Sequence, residues 1–227
     1  MDLVNKVLGI WNLKISEKTN IKTNNEGYEV YQYLDKKGNF DYTAYRDIQI
    51  EANKRKIENV WVKEENVVFL SQYIIDKIGH PRFGICHGTR RGLEQKWFSK
   101  QLKCEVIGTE ISDTATQFPN TVQWDFHEVN PNWVNKVDFI YSNAFDHSYD
   151  PEKCLNAWVE CLTKKGICII EQPERKGAKK TDPFGANILL MPYLILKWGK
   201  GKYYTKEILK APEEISNNTF FLVICKD

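Results

Sequence analysis

Three glycines, Gly84, Gly88 and Gly92, recur at every fourth position from within the short apolar stretch PRFGIC to the start of an amphipathic segment. A glycine-bearing turn that joins a first strand to a helix collects backbone N–H groups and the positive end of the helix dipole, and so suits an anionic or polar ligand. The spacing is neither G-x-G-x-x-G nor G-x-x-x-x-G-K-[ST], which weighs against a nicotinamide enzyme and an NTPase. Glu110 lies about 20 residues beyond the turn, at the end of the next apolar run, where an acid can accept bonds from ribose hydroxyls. Asp125 follows between Trp124 and Phe126, an arrangement suited to an adenine amino group with an aromatic ring against the base. In this order the three features point to an adenosine-containing ligand, although Glu110 and Asp125 each also read as a helix or turn cap.

A proton-transfer group is the other candidate chemistry. Histidine is the side chain that most readily exchanges a proton near neutral pH. His147 follows Asp146 just past the fourth apolar run, where Asp146 can orient it, and His127, two residues after Asp125, is the second choice. A loop-stabilising histidine is the plainer reading of His147.

These residues need a sheet to hold them at one edge. From Pro81 the chain alternates strand-like and helix-like segments, the pattern of an α/β fold with a mostly parallel sheet. Strands are expected at 81–86, 104–109, 121–124, 137–141, 167–171 and 219–225, with a helix at 93–102. A second helix opens at Asp150 as N-cap with Pro151 behind it, and Lys164, Lys165 and Gly166 are expected to end it. The first 79 residues read as an extension: an edge strand at 28–34, a helix at 41–60 and another at 65–78. Tyr42, Tyr45, Gln49 and Asn53 form one polar-aromatic stripe on the first of these helices, read either as surface amphipathicity or as a face offered to an acceptor.

At 42% apolar and 13% aromatic, 227 residues can fill one sizeable core with an appendage. No apolar run reaches the roughly 18 residues of a membrane span, and the N-terminus lacks the pattern of a secretory signal, so a cytoplasmic protein is expected. Six cysteines without a C-x-x-C pair point to neither a disulfide framework nor a metal site. A net charge of +2 disfavours a nucleic-acid binder. Residues 173–210 nevertheless hold nine Lys/Arg against three acids, which reads as a solvated face or as a wall for an anionic acceptor.

With these residues in view, the chain resembles the class I S-adenosylmethionine-dependent methyltransferases, particularly the type 11 group. The resemblance runs from about Phe83 to Glu171: FGICHGTRRG at the glycine loop, GTEIS at the ribose acid, QWDFHE at the adenine site, and SNAFDHSYDPEKCLNAWVECLTKKGICIIE beyond. It implies a doubly wound, Rossmann-like sheet of seven strands with the last antiparallel, and S-adenosylmethionine as cofactor. Cofactor contacts are implied at Gly84, Cys86, His87, Gly88, Thr89, Arg90, Glu110, Ile111, Asp125, Phe126 and Asn143. The departures are Gly84, where the family usually has an acid, and Cys86 and Arg90, where glycines are common. The methionine amino group therefore lacks its expected carboxylate. Residues 80–227 are expected to be the catalytic domain, with 1–79 and an insertion at 173–218 forming the acceptor side.

The activity expected is O- or N-methylation of a small molecule, with a sugar or nucleotide-sugar among the candidates, by a monomer or homodimer. A catalytically silent binding protein and a nucleotide-dependent oxidoreductase are the alternatives.

Overall fold

The computed structural model describes residues 20–227, so residues 1–19 of the expected extension lie outside it. In chain order the elements are β1 (Ile21–Thr23), β2 (Glu29–Tyr31), α1 (Tyr42–Arg55), α2 (Glu64–Ile78), β3 (Phe83–His87), α3 (Leu93–Leu102), β4 (Glu105–Glu110) and β5 (Thr121–Gln123). They continue as β6 (Val137–Ser142), α4 (Pro151–Cys161), β7 (Leu162–Gln172), β8 (Phe184–Gly185), α5 (Met191–Gly199), β9 (Tyr203–Lys210) and β10 (Phe220–Lys226).

Seven strands form one sheet in the order β5-β4-β3-β6-β7-β10-β9. β3 to β7 run parallel, and β10 is antiparallel to both β7 and β9. The order reverses at β3, which has β4 on one side and β6 on the other, so the carboxyl ends of these strands face a crevice of the kind that binds ligands in doubly wound sheets. Apolar runs such as ICII in β7 are buried on both faces, as a parallel sheet covered by helices requires. Val67, Leu70 and Ile74 of α2 join Phe98 and Leu102 of α3 over one face, with Cys86, Phe139 and Tyr141. Leu155 and Trp158 of α4 join Leu194 and Trp198 of α5 over the other, with Ile85 and Ile140.

Local signals set most of these boundaries. Asp150 caps α4 by accepting from the Lys153 N–H, with Pro151 in the first turn. Asp41 caps α1 through the Ala44 N–H. The end of α4 departs from expectation. The helix stops at Cys161, Leu162 already pairs with Val137, and Lys164 to Gly166 lie in an irregularity of β7. Gly166 has no room for a side chain there, since a Cβ would come 2.9 Å from the Val137 carbonyl oxygen. Two lysines and a glycine serve an irregular strand start as well as a helix end, which is why the pattern misleads.

Residues 173–218, expected as an insertion, carry α5 and β9, elements the basic composition obscured. Tyr28 and Phe184 pack together at 5.7 Å, where β1, β2 and β8 form a small antiparallel sheet that ties the early chain to residues 184–185. Among the described residues no helix is long and apolar enough to cross a membrane. All six cysteines are free thiols.

Candidate active site

The turn after β3 is held open by left-handed backbone. Gly88 has φ +73°, and a Cβ would meet that of Ala144 at 2.5 Å. Arg90 also has a positive φ, +42°, a conformation that disfavours a side chain by roughly 1–2 kcal/mol. That accounts for glycine being common there in the family this chain resembles. Here the arginine is anchored instead, its guanidinium donating to the Asn59 carbonyl at 3.1 Å. Glu110 ends β4 beside this turn. Its two oxygens accept from the Arg90 and Ser112 N–H groups at 3.2 and 3.1 Å, and burial, partly offset by those bonds and by His147, raises its pKa.

These groups open onto a cavity of about 410 Å³ at the carboxyl edge of the sheet, within the usual range for small-molecule sites. Gly88, Thr89, Arg90, Glu110 and Ile111 line one side, with Asp125, Phe126 and Asn143 beside them. Gly84, Cys86 and His87, also expected at the cofactor, do not line it, because these strand positions face the two helix layers. Gly84 lies under the Phe139 ring, whose nearest carbon would be 2.2 Å from a Cβ. Cys86 is sealed beside the α2 and α3 layer. His87 stacks on Trp158 at 4.7 Å, and burial pushes its pKa down to about 3.

α1 lies across this edge, and its stripe is used for anchorage. The Tyr42 hydroxyl donates to Asp125 Oδ2 at 2.7 Å, and the Tyr45 hydroxyl to the His147 carbonyl at 3.1 Å. Asn53 Oδ1 accepts from Thr114 at 2.9 Å. Tyr45, Gln49 and Asn53 still line the cavity, but these hydrogen bonds go to protein partners, so the stripe builds the wall more than it offers free groups.

The two histidines differ sharply. His127 is buried, with Nδ1 2.7 Å from Asp125 Oδ1, Nε2 2.8 Å from Ser148 Oγ and its ring stacked on Tyr149 at 3.9 Å. Both nitrogens are engaged, which leaves it without a free position for an acceptor's proton. Burial favours a higher pKa for Asp125, but bonds from His127 and Tyr42 bring it below its ordinary value.

His147 is half-buried in the cavity wall. Gln49 Nε2 donates to the Thr181 carbonyl at 3.1 Å, which turns Gln49 Oε1 toward His147 Nδ1, 2.8 Å away. The imidazole therefore donates from Nδ1 and keeps its lone pair on Nε2, 4.0 Å from Asp146 Oδ1. Gln49, not Asp146, is the group that orients the ring.

Asp146, His147 and Asp182 stand close enough to share a cation, and a lysine ammonium already lies among them. Lys176 Nζ is 2.7 Å from Asp146 Oδ2 and 3.2 Å from Asp182 Oδ2, and Lys179 adds a bond to Asp182 at 2.9 Å. Burial works to raise the Asp182 pKa, but His147 and the two lysines lower it to about 2. The basic segment is thus divided: Lys176 and Lys179 have acidic partners here, while Lys197 pairs with Glu26 in the turn between β1 and β2.

Two acids that the sequence reading did not single out complete the cavity. Glu94, in the first turn of α3, has an Oε2 sealed from solvent without a hydrogen-bond partner. Glu171, near the end of β7, accepts from Tyr141 at 2.7 Å and Asn66 at 3.3 Å. Burial raises the pKa of both to about 7. S-adenosylmethionine, a cation with a ribose and an adenine, fits this set: a buried acid beside the glycine turn, aromatic and polar walls, and an unsatisfied carboxylate oxygen.

Comparison with known proteins agrees. Residues 85–170 match the family model described as a methyltransferase domain. No curated protein matches the chain by sequence. By structure it is similar to a 1,6-didemethyltoxoflavin-N1-methyltransferase of Burkholderia thailandensis, solved with that compound and S-adenosylhomocysteine, at 12% identity and a TM-score of 0.64. That match covers 92% of this chain and 99% of the other. It is also similar to the plantazolicin methyltransferase BpumL in complex with S-adenosylhomocysteine, at 13% identity and a TM-score of 0.61, over 81% and 94% of the two chains. A methyltransferase from Aquifex aeolicus aligns at 13% identity and a TM-score of 0.52, over 82% and 98%. These likenesses establish the fold, and residues 85–170 match a methyltransferase domain.

Proposed function

We propose that the chain methylates a hydroxyl of a small polar molecule, with His147 as general base. S-adenosylmethionine supplies an electrophilic methyl group on a sulfonium. The protein's task is then to hold an acceptor in line with it and to remove the acceptor's proton. The observation that carries this reading is the fixed ring of His147, whose Nδ1 is committed to Gln49 while Nε2 keeps its lone pair beside Asp146. When Nε2 takes the proton, the Asp146 carboxylate stabilises the imidazolium.

Glu110 and the turn at Gly88 are assigned to the donor's adenosine end, with Ile111, Phe126 and Asn143 beside it. Asp125 acts there mainly by holding Tyr42 and His127. Residues 20–79 and 173–218 are assigned to the acceptor side, through Tyr45 and Gln49 from the first segment and Lys176 and Asp182 from the second. Because Lys176 and Lys179, the two cavity lysines from the basic segment, have aspartate partners, an uncharged polar acceptor suits that wall better than the anionic one expected from composition. Nitrogen methylation is the second reading, favoured by the likeness to an enzyme named as an N1-methyltransferase.

The test is incubation with isotopically methyl-labelled S-adenosylmethionine and a panel of hydroxylated and nitrogen heterocycles, with products located by mass spectrometry. Label on a hydroxyl oxygen, lost in His147→Ala, supports the proposal. Label on a ring nitrogen at a rate indifferent to His147→Ala moves the assignment to the second reading, and label only on peptide or nucleic acid overturns both.

A further inference from the structure

Gly84 leaves the α2 and α3 side of the sheet without an acid on β3, and Phe139 fills the space its side chain would need. Two strand positions further on, the same face carries Cys86 and Tyr141. The Tyr141 hydroxyl points to Glu171 from the neighbouring β7. Glu94 reaches the same region from α3 and bears electrostatically on Cys86, Tyr141 and Arg90. Two carboxylates from different elements thus meet at the cavity, and Glu94 Oε2 is sealed from solvent with no partner.

A sealed, unpartnered carboxylate oxygen costs stability, and a second carboxylate nearby adds repulsion. A cationic group placed between them satisfies the oxygen and relieves the repulsion. The donor carries such a group at its methionine end, in the ammonium. We propose that Glu94 and Glu171 together seat the ammonium of the donor's methionine end, replacing an acid that Gly84 cannot supply. The inference rests on the cofactor assignment. Arg90, on the turn beside Glu94, is then the cation available to the methionine carboxylate.

The seat has a pH signature. Both carboxyls titrate near neutrality because of burial. The groups facing them are Arg90 and Glu110 around Glu94, and Tyr141 and Asn66 around Glu171. An ammonium arriving between them favours the ionised forms, so binding should release protons where the free protein still holds them.

Calorimetry on the full chain tests this with two probes: S-adenosylhomocysteine, and 5′-methylthioadenosine, which has the same adenosine and thioether but no amino-acid end. Above the titration range, Glu94→Gln and Glu171→Gln should each weaken S-adenosylhomocysteine by about 5- to 100-fold. Methylthioadenosine should bind all variants alike, which also shows that they remain folded. Near neutral pH, buffers of different ionisation enthalpy should reveal proton release with the first probe, diminished in the variants, and none with the second. Equal weakening of both probes, or S-adenosylhomocysteine affinity unchanged in both variants, overturns the proposal. Failure of the unmodified chain to bind S-adenosylhomocysteine removes the cofactor assignment as well.

Discussion

Gln49 Oε1 lies 2.8 Å from His147 Nδ1, and this contact sets which nitrogen of the imidazole carries the proton. The bond from Gln49 Nε2 to the Thr181 carbonyl fixes the amide's direction. A neutral His147 should therefore be the Nδ1–H tautomer, which nitrogen-15 chemical shifts read directly. Removing His147 should cost roughly 10²- to 10⁴-fold in kcat on a hydroxyl acceptor. Gln49→Ala should cost less, shift the ring toward the other tautomer, and be non-additive with His147→Ala. A ring already protonated on Nε2 in the unmodified protein counts against the base assignment.

Gly84 and Phe139 make a steric prediction. Gly84→Ala places a methyl where the Phe139 ring stands, and overpacking of this kind costs about 1–3 kcal/mol. Thermal unfolding should show the loss, and Phe139→Leu in the same chain should recover part of it. Gly84→Ala with unchanged stability would mean that Phe139 moves aside freely.

How far such features can be read beforehand depends on the residue. Six of the sheet's seven strands, the Asp150 cap and the acid at Glu110 are legible because their signals are local: apolar runs, a carboxylate before proline, an acid ending a strand. β9 was hidden because its alternation, in YYTKEILK, is carried partly by Lys206, Glu207 and Lys210, which read as charge before they read as a strand. Glu94 and Glu171 were not recognisable as a pair, since nothing at 77 residues' separation says that the start of α3 and the end of β7 meet at one cavity. The roles of Gln49 and Tyr42 depend on where α1 crosses the sheet, a tertiary fact that a helical stripe cannot convey.

Lys176 bridges Asp146 and Asp182. Lys176→Met should leave two carboxylates facing one another and lower stability by about 1–3 kcal/mol, with Asp146→Asn restoring part of the loss. An additive double variant would show that the lysine acts independently of this pair.

Stability of the ligand-free protein should fall as pH rises through neutrality. Glu94 and Glu171 have folded-state pKa values raised from 4.5 to about 7, so their contribution is complete below 4.5 and is lost as pH climbs through about 7. Asp182 acts in the opposite sense at a lower pH, its contribution being lost as pH falls toward about 2. Melting curves of the unmodified chain and of the Glu94→Gln, Glu171→Gln double variant should differ most in slope across the upper window. Parallel curves there would show that the two acids do not titrate in it.

Calorimetric titration of the full chain with S-adenosylhomocysteine tests the central claim most directly. The account predicts saturable binding at a single site, weakened by about 1–3 kcal/mol in Glu110→Ala, whose carboxylate is assigned to the ribose. A folded chain that binds no S-adenosylhomocysteine, or binds it equally well without the Glu110 carboxylate, contradicts it.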